Sequence, residues 1–500
     1  MDRDERNRAS NDVRRSPKHR LRSEEHTLTT SPGETGEEPD GLPIRLRILA
    51  LTATSIATFT SQLDQAIANT ALPTIARYFH ISAETSIWVV NGYQLAVAAT
   101  LLMFAALGDT VGPTMMFLGG LALFTLGSLG CALANSFLLL VGMRAVQGIA
   151  SADLMGVTQP IIRTVYPHRM LGRAIGNNAV FVAVGAAAGP TIGGIILAFA
   201  HWQWLFWINV PICTLGLVLG WRYLPRQRGT GAPLDVPSIV LSAFGFASIV
   251  YGLDGIARHL PITRMLVFTL LGAIAMALFI VRQRRLRHKL FAVDLFRFRI
   301  FSLSAAASTM TYTAQALAYV SLPFYFQSVL GRTPLESGLL LSSWPLTTAI
   351  AAPLVGTLSD RYPASLLGTI GISIMASGLA LFAFLPTQSW MILGCSAICG
   401  TGFGFFQTPN NRAMIASTPR SETGRATGVL ASVRVAGQTL GTTLVAIVFG
   451  LSGIEIINGN TGSTAHAVIA TALWLGCAFC LLAAVASGFR FGASAPVTAS

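Results

Sequence analysis

Fourteen apolar runs, each close to the ~20 residues that a ~30 Å hydrocarbon core requires, predict an all-α integral membrane protein with 14 transmembrane helices. Composition agrees: 52 % of the 500 residues are apolar and 11 % are charged, and the mean hydropathy is +0.60, values a soluble chain of this size hardly reaches. Lipid leaves no backbone group unsatisfied, and strands would be half as long and alternating, so a helix bundle is the only architecture these lengths allow. The third observation is the distribution of the +13 net charge. Outside the N-terminal tail, Lys and Arg fall in short gaps between apolar runs, which is a topology signal and not a nucleic-acid surface.

Residues 1–40 are rich in Arg, Glu, Ser, Asp and Pro with almost no large apolar side chains. They cannot bury enough surface to offset ordering entropy, so 1–44 is expected to be a disordered cytoplasmic tail. It has no signal-peptide pattern, and the first span is expected to act as an uncleaved signal. Spans are predicted at 47–70, 86–107, 114–134, 137–158, 174–199, 204–223, 237–257, 262–281, 301–328, 337–357, 365–385, 389–409, 424–450 and 466–488. One set of gaps carries Arg163, Arg169 and Arg173, then Arg222, Arg226 and Arg228. The same side continues with the cluster from Arg282 through Lys289 to Arg299, then Arg361, Arg412, Arg420 and Arg425. The other side offers only Arg77, Arg258, Arg264 and Arg332. This asymmetry predicts an even count with both termini cytoplasmic.

Gly108-Asp109, ending the second span, has a counterpart in Gly356-Thr-Leu-Ser-Asp360-Arg361. The echo predicts two related halves of six helices, 45–225 and 301–490, with spans 7 and 8 as an inserted pair in a linker over 226–300 and a short cytoplasmic tail at 491–500.

Ions inside the apolar runs are the candidate functional residues, because a charge at membrane depth costs roughly 2.5–3.5 kcal/mol on insertion scales. Asp64 lies in Leu63-Asp-Gln-Ala-Ile-Ala-Asn-Thr-Ala-Leu72-Pro73. It either faces a protein-lined cavity and takes part in transport, or sits at a helix end wetted at the headgroups. At 1.5 Å per residue Asp64 is roughly 13 Å and Arg144 roughly 12 Å from the outer side, so the two opposite charges are level. Asp153, roughly 25 Å in, is either a solvated interfacial carboxylate or a second proton or cation site. Arg434, roughly 15 Å into span 13, either repels cationic substrates or anchors a carbonyl network. Tyr312, Gln315 and Tyr319 fall at i, i+3 and i+7 and form one helix face, either a substrate wall or bundle packing. The six cysteines all lie in apolar segments. Cys477-Ala-Phe-Cys480 has redox or metal spacing but no flanking His or second pair, so packing is the better reading and no metal is expected.

In order and spacing, four motifs make the chain resemble the fourteen-span drug/proton antiporter branch of the major facilitator superfamily, over nearly all of the sequence from residue 45. They are the Asp64 stretch; Arg144-Ala-Val-Gln147-Gly148; Gly185-Ala-Ala-Ala-Gly189-Pro190-Thr-Ile-Gly193-Gly194 followed by Trp202 to Pro211; and, in part, the loop after span 2. The resemblance implies a major-facilitator-type bundle in which spans 1 and 4 line one cavity, so that Asp64 and Arg144 are expected to interact there. It also associates the Gly185–Gly194 motif with export, although glycines four apart suit simple tight packing as well. In the loop, Asp109 and Gly112 stand where the family has them, while Thr110, Pro113 and Thr114 replace residues that are usually basic. Asp109 is then expected to act on a helix N-terminus across the two halves.

No P-loop sequence appears and no segment is long enough for an ATPase domain, so a proton gradient is the expected energy source and no cofactor is expected. His80, His168, His201, His259 and His288 are scattered over both sides, which argues against an enzyme. Two equivalent halves suit rocking about a central site better than a channel. The sequence therefore predicts proton-coupled export of amphipathic, cationic drugs or toxic compounds across the cytoplasmic (inner) membrane, conferring resistance. The alternative is export of a specific endogenous metabolite or siderophore on the same scaffold. The bilayer, protons and a small substrate are the expected partners; the sequence leaves an envelope-spanning partner open.

Overall fold

The computed structural model describes residues 41–491 apart from 228, 230, 232–233, 287–289, 420–421 and 453–462. The tails expected over 1–44 and 491–500 lie almost wholly outside the described residues. The described chain forms fourteen long helices. They are α1 (Ile44–Tyr78), α2 (Trp88–Val111), α3 (Pro113–Ala132), α4 (Phe137–Val165), α5 (Leu171–Phe199), α6 (Asn209–Tyr223) and α7 (Val236–Ala257). The remainder are α8 (Ile262–Arg285), α9 (Arg299–Phe324), α10 (Pro334–Leu358), α11 (Ala364–Ala383), α12 (Ser389–Ala416), α13 (Thr423–Ser452) and α14 (Ser463–Gly488).

Twelve of these are long and apolar enough to cross a membrane; α1 and α9 fall short. The reason is placement. In α9, 18 of 26 residues are buried, Ser304, Ser308, Thr311, Tyr312 and Gln315 among them, whereas α8 buries only Gly272, Ala275, Phe279 and Gln283. Helices enclosed by protein carry polar side chains that a lipid-facing helix cannot. The predicted end of the first span at 70 is also corrected. α1 runs on through Pro73 to Tyr78, because proline removes only its own N–H and the flanking Leu72, Ile75 and Ala76 are fully buried.

Helix α1 packs on α5 and α6, α4 on α2 and α3, and these six form one group. α9 through α14 form the other, with α12 against α10 and α11, and α14 against α9 and α11. The groups meet along α5–α10 and α2–α13. α7 and α8 pack on each other at the periphery, α7 alone reaching α2 and α13. Polar contacts hold the pair on both faces. Arg282 donates to Asp235 Oδ1 at 2.7 Å on one face. On the other, Trp88 Nε1 donates to Asp254 Oδ2 at 3.1 Å, beside Arg258 at 2.7 Å. Burial works against the Asp235 carboxylate, but hydrogen bonds from Arg282 and Ser238 outweigh it and hold its pKa below the ordinary value.

At the face where α1 ends, an apolar cluster joins the groups, with Leu63, Ile67, Leu72 and Phe206 against Leu317, Val320, Phe324 and Phe449. The opposite face, where α1 begins, is the arginine-rich one.

Candidate functional site

Asp64 and Arg144 meet inside the first group. Arg144 Nη1 donates to Asp64 Oδ2, with the side chains 0 % and 1 % exposed. A buried pair offsets its desolvation only when its other polar atoms are also bonded. Here Asn209 Nδ2 donates to Asp64 Oδ1 at 2.8 Å, and Gln147 Oε1 accepts from Arg144 Nη1 at 2.9 Å. Arg144 Nε donates to the Val89 carbonyl at 3.0 Å. The guanidinium lies 4.5 Å from the Tyr93 ring centre and 5.7 Å from that of Phe206, at distances where an aromatic face attracts a cation. Tyr78, Phe79, Trp202 and Phe206 form an aromatic cluster beside it, with Tyr78–Phe79, Tyr78–Trp202 and Trp202–Phe206 edge to face and Phe79–Trp202 tilted. Asp64 is therefore not at a wetted helix end.

Nor does it line the cavity at the centre of the described bundle, which corrects the expectation that Asp64 and Arg144 meet on that wall. A cavity of about 600 Å³ lies between the two groups, and neither residue is on its wall. Gln62, Gln65 and Asn69 of α1 are. At 100° per residue, Asp64 lies about 130° around the helix from that stripe. From the first group Gln94, Gln159 and Asn178 also contribute, and from the second Gln315, Gln407, Asn411 and Gln438, making ten carboxamides in all. Tyr312, Gln315 and Tyr319, the i, i+3, i+7 face of α9, are on the wall together with Arg434. Tyr312 OH accepts from Gln407 Nε2 at 2.8 Å. Arg434 anchors no carbonyl network: its hydrogen bond among the described residues is from Nη2 to the Met155 sulfur at 3.9 Å. It is the one formally charged residue on the described wall, so the wall gives no support to a cationic substrate.

A water-sized void of about 10 Å³ connects wall residues Gln62, Gln94 and Arg434 to Tyr93 and Ser151. Tyr93 OH donates to Ser151 Oγ at 2.7 Å, and Ser151 Oγ is 2.6 Å from Ser61 Oγ, one turn before Asp64. The cavity and the ion pair thus touch the same small network.

Asp153 is 2 % exposed, which overturns the solvated interfacial reading. It packs against Gly120 of α3, and its Oδ1 has no hydrogen-bond partner among the described residues.

Gly185, Gly189 and Gly193 turn one face of α5 onto α1; a Cβ at Gly185 would fall 2.7 Å from the Phe59 carbonyl. Gly194 faces the other group, where a Cβ would fall 2.7 Å from the Pro334 carbonyl, and Gly338 of α10 sits directly on the Pro190 carbonyl. Thr191 and Ser342 hydroxyls lie 2.6 Å apart across this seam, and Gln327 Nε2 donates to the Thr70 carbonyl at 2.9 Å. The cavity is therefore closed toward the end of α1. In the other direction its wall reaches Ile175 and Asn411, four and five residues from the ends of α5 and α12 on the arginine-rich face.

The described residues of the loop after α2 pack on the segment after α6. Gly112, at φ 113°, abuts the Gln227 carbonyl, and Thr114 Oγ1 donates to the Pro225 carbonyl at 2.6 Å. A Cβ at Gly108 would lie 2.9 Å from Val157 of α4. The side chain of Asp109, expected to act across the halves, lies outside what the structure describes. In the second group Asp360 Oδ1 accepts from Arg412 at 2.6 Å, both largely exposed, and Arg361 beside it is exposed.

Sequence reasoning assigned no role to Asn209, Tyr93 or most of the carboxamides. The stripe Gln62, Gln65, Asn69 carries the helical spacing that would have identified it. Arg490 was missed because it lies beyond the last span. It is 5 % exposed and donates to Asn410 Oδ1 at 2.7 Å and Ser304 Oγ at 2.9 Å, tying α14 to α12 and α9. Burial pushes its guanidinium down to about 10, so it stays charged at neutral pH.

All six cysteines are free and buried, and no group of three or more His, Cys, Asp or Glu among the described residues forms a metal cluster.

Comparison with known proteins follows the same lines. The chain is 44 % identical over 426 residues to the uncharacterized transporter YebQ of Escherichia coli, spanning 84 % of this chain and 93 % of that protein. It is 30 % identical to the riboflavin transporter RibZ of Clostridioides difficile over 87 % and 95 % of the two chains. It is also 30 % identical to the multidrug efflux pump LfrA of Mycolicibacterium smegmatis over 87 % of each. The solved inward-facing, unoccupied bacterial homologue of the lysosomal transporter Spinster superposes with a TM-score of 0.64 at 16 % identity, over 90 % of this chain and 98 % of that one. Residues 54–236 and 304–499 match the Major Facilitator Superfamily model; the chain belongs to this superfamily and is a multi-pass membrane transporter, not an enzyme.

Proposed function

We propose that this transporter is a proton-coupled exporter of small amphipathic compounds, working by alternating access in the cytoplasmic membrane. In this reading all fourteen helices span the bilayer, both termini are cytoplasmic, α1–α6 and α9–α14 are the rocking halves, and α7 and α8 are an inserted pair. The observation that carries it is a buried ion pair, Asp64 and Arg144, set on the far side of α1 from a cavity of about 600 Å³ between the halves. Protonation of Asp64 removes the charge that holds Arg144, and the pair loosens. Because Gln62, Gln65 and Asp64 share about one turn of α1, a shift at the pair moves the cavity wall. Proton and substrate then act through α1 and the Tyr93–Ser151–Ser61 network and do not compete for one carboxylate. A relative named as a multidrug efflux pump supports the direction of transport.

Inside-out vesicles test this reading with a panel of fluorescent dyes. Wild type is expected to accumulate dye when a pH gradient is imposed, and Asp64→Asn to lose that accumulation while retaining dye exchange without a gradient. Gradient-driven accumulation that survives Asp64→Asn overturns it.

A second reading, export of one endogenous metabolite or siderophore, draws on the ten carboxamides of the wall, since precisely placed polar groups select one hydrogen-bonding ligand. The relative named as a riboflavin transporter favours it too. Resistance profiling of a deletion strain separates the two: broad sensitisation to dyes and drugs supports the first, and no change for any compound supports the second.

A further inference from the structure

We infer that the central cavity takes planar heteroaromatic compounds that are uncharged or anionic, with Arg434 as the residue that selects against cations. The inference rests on the cavity being the transport site and names the chemistry of what enters it.

Charge is the first observation. Arg434 is the only formally charged residue on the described wall, and no carboxylate is there to offset it. Among the described residues its neighbours leave it under-satisfied: Nε is buried without a hydrogen-bond partner, and Nη2 reaches only the Met155 sulfur at 3.9 Å. A guanidinium keeps its charge at any accessible pH. In a site partly closed to water, an anion close to it is favoured and a cation disfavoured, each by about tenfold or more at an effective dielectric near 20. Asp64, the carboxylate that would reverse this preference, is on the other side of α1 and already paired.

Hydrogen-bonding capacity is the second. Carboxamides such as Gln62, Gln65, Gln315, Gln407 and Gln438 each carry a donor and an acceptor. Between the halves, Gln65 Nε2 and Gln438 Oε1 meet only at 3.5 Å. Asn69 Oδ1 is buried with no hydrogen-bond partner among the described residues. Such a wall matches a ligand bearing several ring nitrogens, carbonyls or hydroxyls and penalises a purely apolar one, which leaves these groups unpaired.

Shape is the third. Tyr312 and Phe403 stand edge to face at 5.5 Å on one side of the cavity. Gly437, one turn after Arg434, lets α13 lie against Tyr312, where a Cβ would fall 3.0 Å from that of the tyrosine. A flat ring is thus offered the aromatic edges that Tyr312 and Phe403, each 4 % exposed, leave on the wall beside the cation.

Two dyes sharing the xanthene ring system, fluorescein as the anion and rhodamine 123 as the cation, test this at about pH 8 by fluorescence polarisation with purified protein in nanodiscs. Wild type is expected to bind fluorescein at least about tenfold more tightly than rhodamine 123. The preference is expected to collapse in Arg434→Gln and to persist in Arg434→Lys, which guards against a folding effect. Rhodamine 123 binding as tightly as fluorescein to wild type, a preference unchanged in Arg434→Gln, or binding of neither dye overturns the inference. No gradient is present in this measurement, so a normal dye preference together with a failed vesicle experiment sinks proton coupling and leaves the substrate class standing.

Discussion

Asp64 and Arg144 each cost several kcal/mol to take out of water, and the bonds from Asn209, Gln147 and Val89 recover that cost only while both charges are present. Arg144→Ala is therefore expected to lower stability by about 3–5 kcal/mol, because it leaves an unpaired carboxylate in a dry site. Asp64→Asn with Arg144→Met in one chain is expected to restore most of that loss, since neither charge remains. Thermal unfolding of wild type and the two variants in one detergent checks this, and equal melting temperatures for wild type and Arg144→Ala would contradict the burial of the pair. The presence of both ions, and their common depth, were legible in the sequence, because the cost of a charge in lipid is a property of residue type and depth follows from the helix rise. Azimuth was not. Asp64 and the stripe Gln62, Gln65, Asn69 stand on different faces of α1 by simple periodicity, but which face turns to the other half depends on helices hundreds of residues away. The same gap explains Asp153, whose depth suggested solvent while α3 in fact covers it.

Helix α5 shows what a glycine motif does at the scale of an element. Its Gly185–Gly189–Gly193 face lets α1 approach closely, and Gly194 with Pro190 forms the seam to α10. Gly338 of α10 sits on the Pro190 carbonyl with no room for a Cβ. Gly338→Val is expected to push the ends of α5 and α10 apart and to reduce transport while the helices themselves stay folded. Double electron–electron resonance between spin labels at the ends of α5 and α10 reads this directly, with a longer distance expected; an unchanged distance distribution with impaired transport would contradict the seam. Helix number and order were legible because apolar run length and loop charge are local quantities. The shortfall of α1 and α9 in hydropathy is equally informative, since it marks the helices enclosed by protein. Packing of α7 and α8 at the periphery, fixed by Asp235–Arg282 and by Asp254 with Trp88, depends on side-chain contacts that spacing alone does not specify.

At the scale of the molecule, the cavity is sealed at the face where α1 ends by an apolar cluster and by the Thr191–Ser342 contact, and its wall extends toward the arginine-rich face. One such arrangement, exchanged for its mirror across the membrane, is what alternating access requires. The central claim is that the buried pair, not a carboxylate on the cavity wall, couples this exchange to protons. Substrate-induced proton release tests it most directly, measured with a pH indicator in weakly buffered purified protein, using the dye that binds most tightly among anionic, neutral and cationic candidates. Wild type is expected to release protons on dye addition and Asp64→Asn, with dye binding intact, to release none; equal release from both proteins would contradict the account.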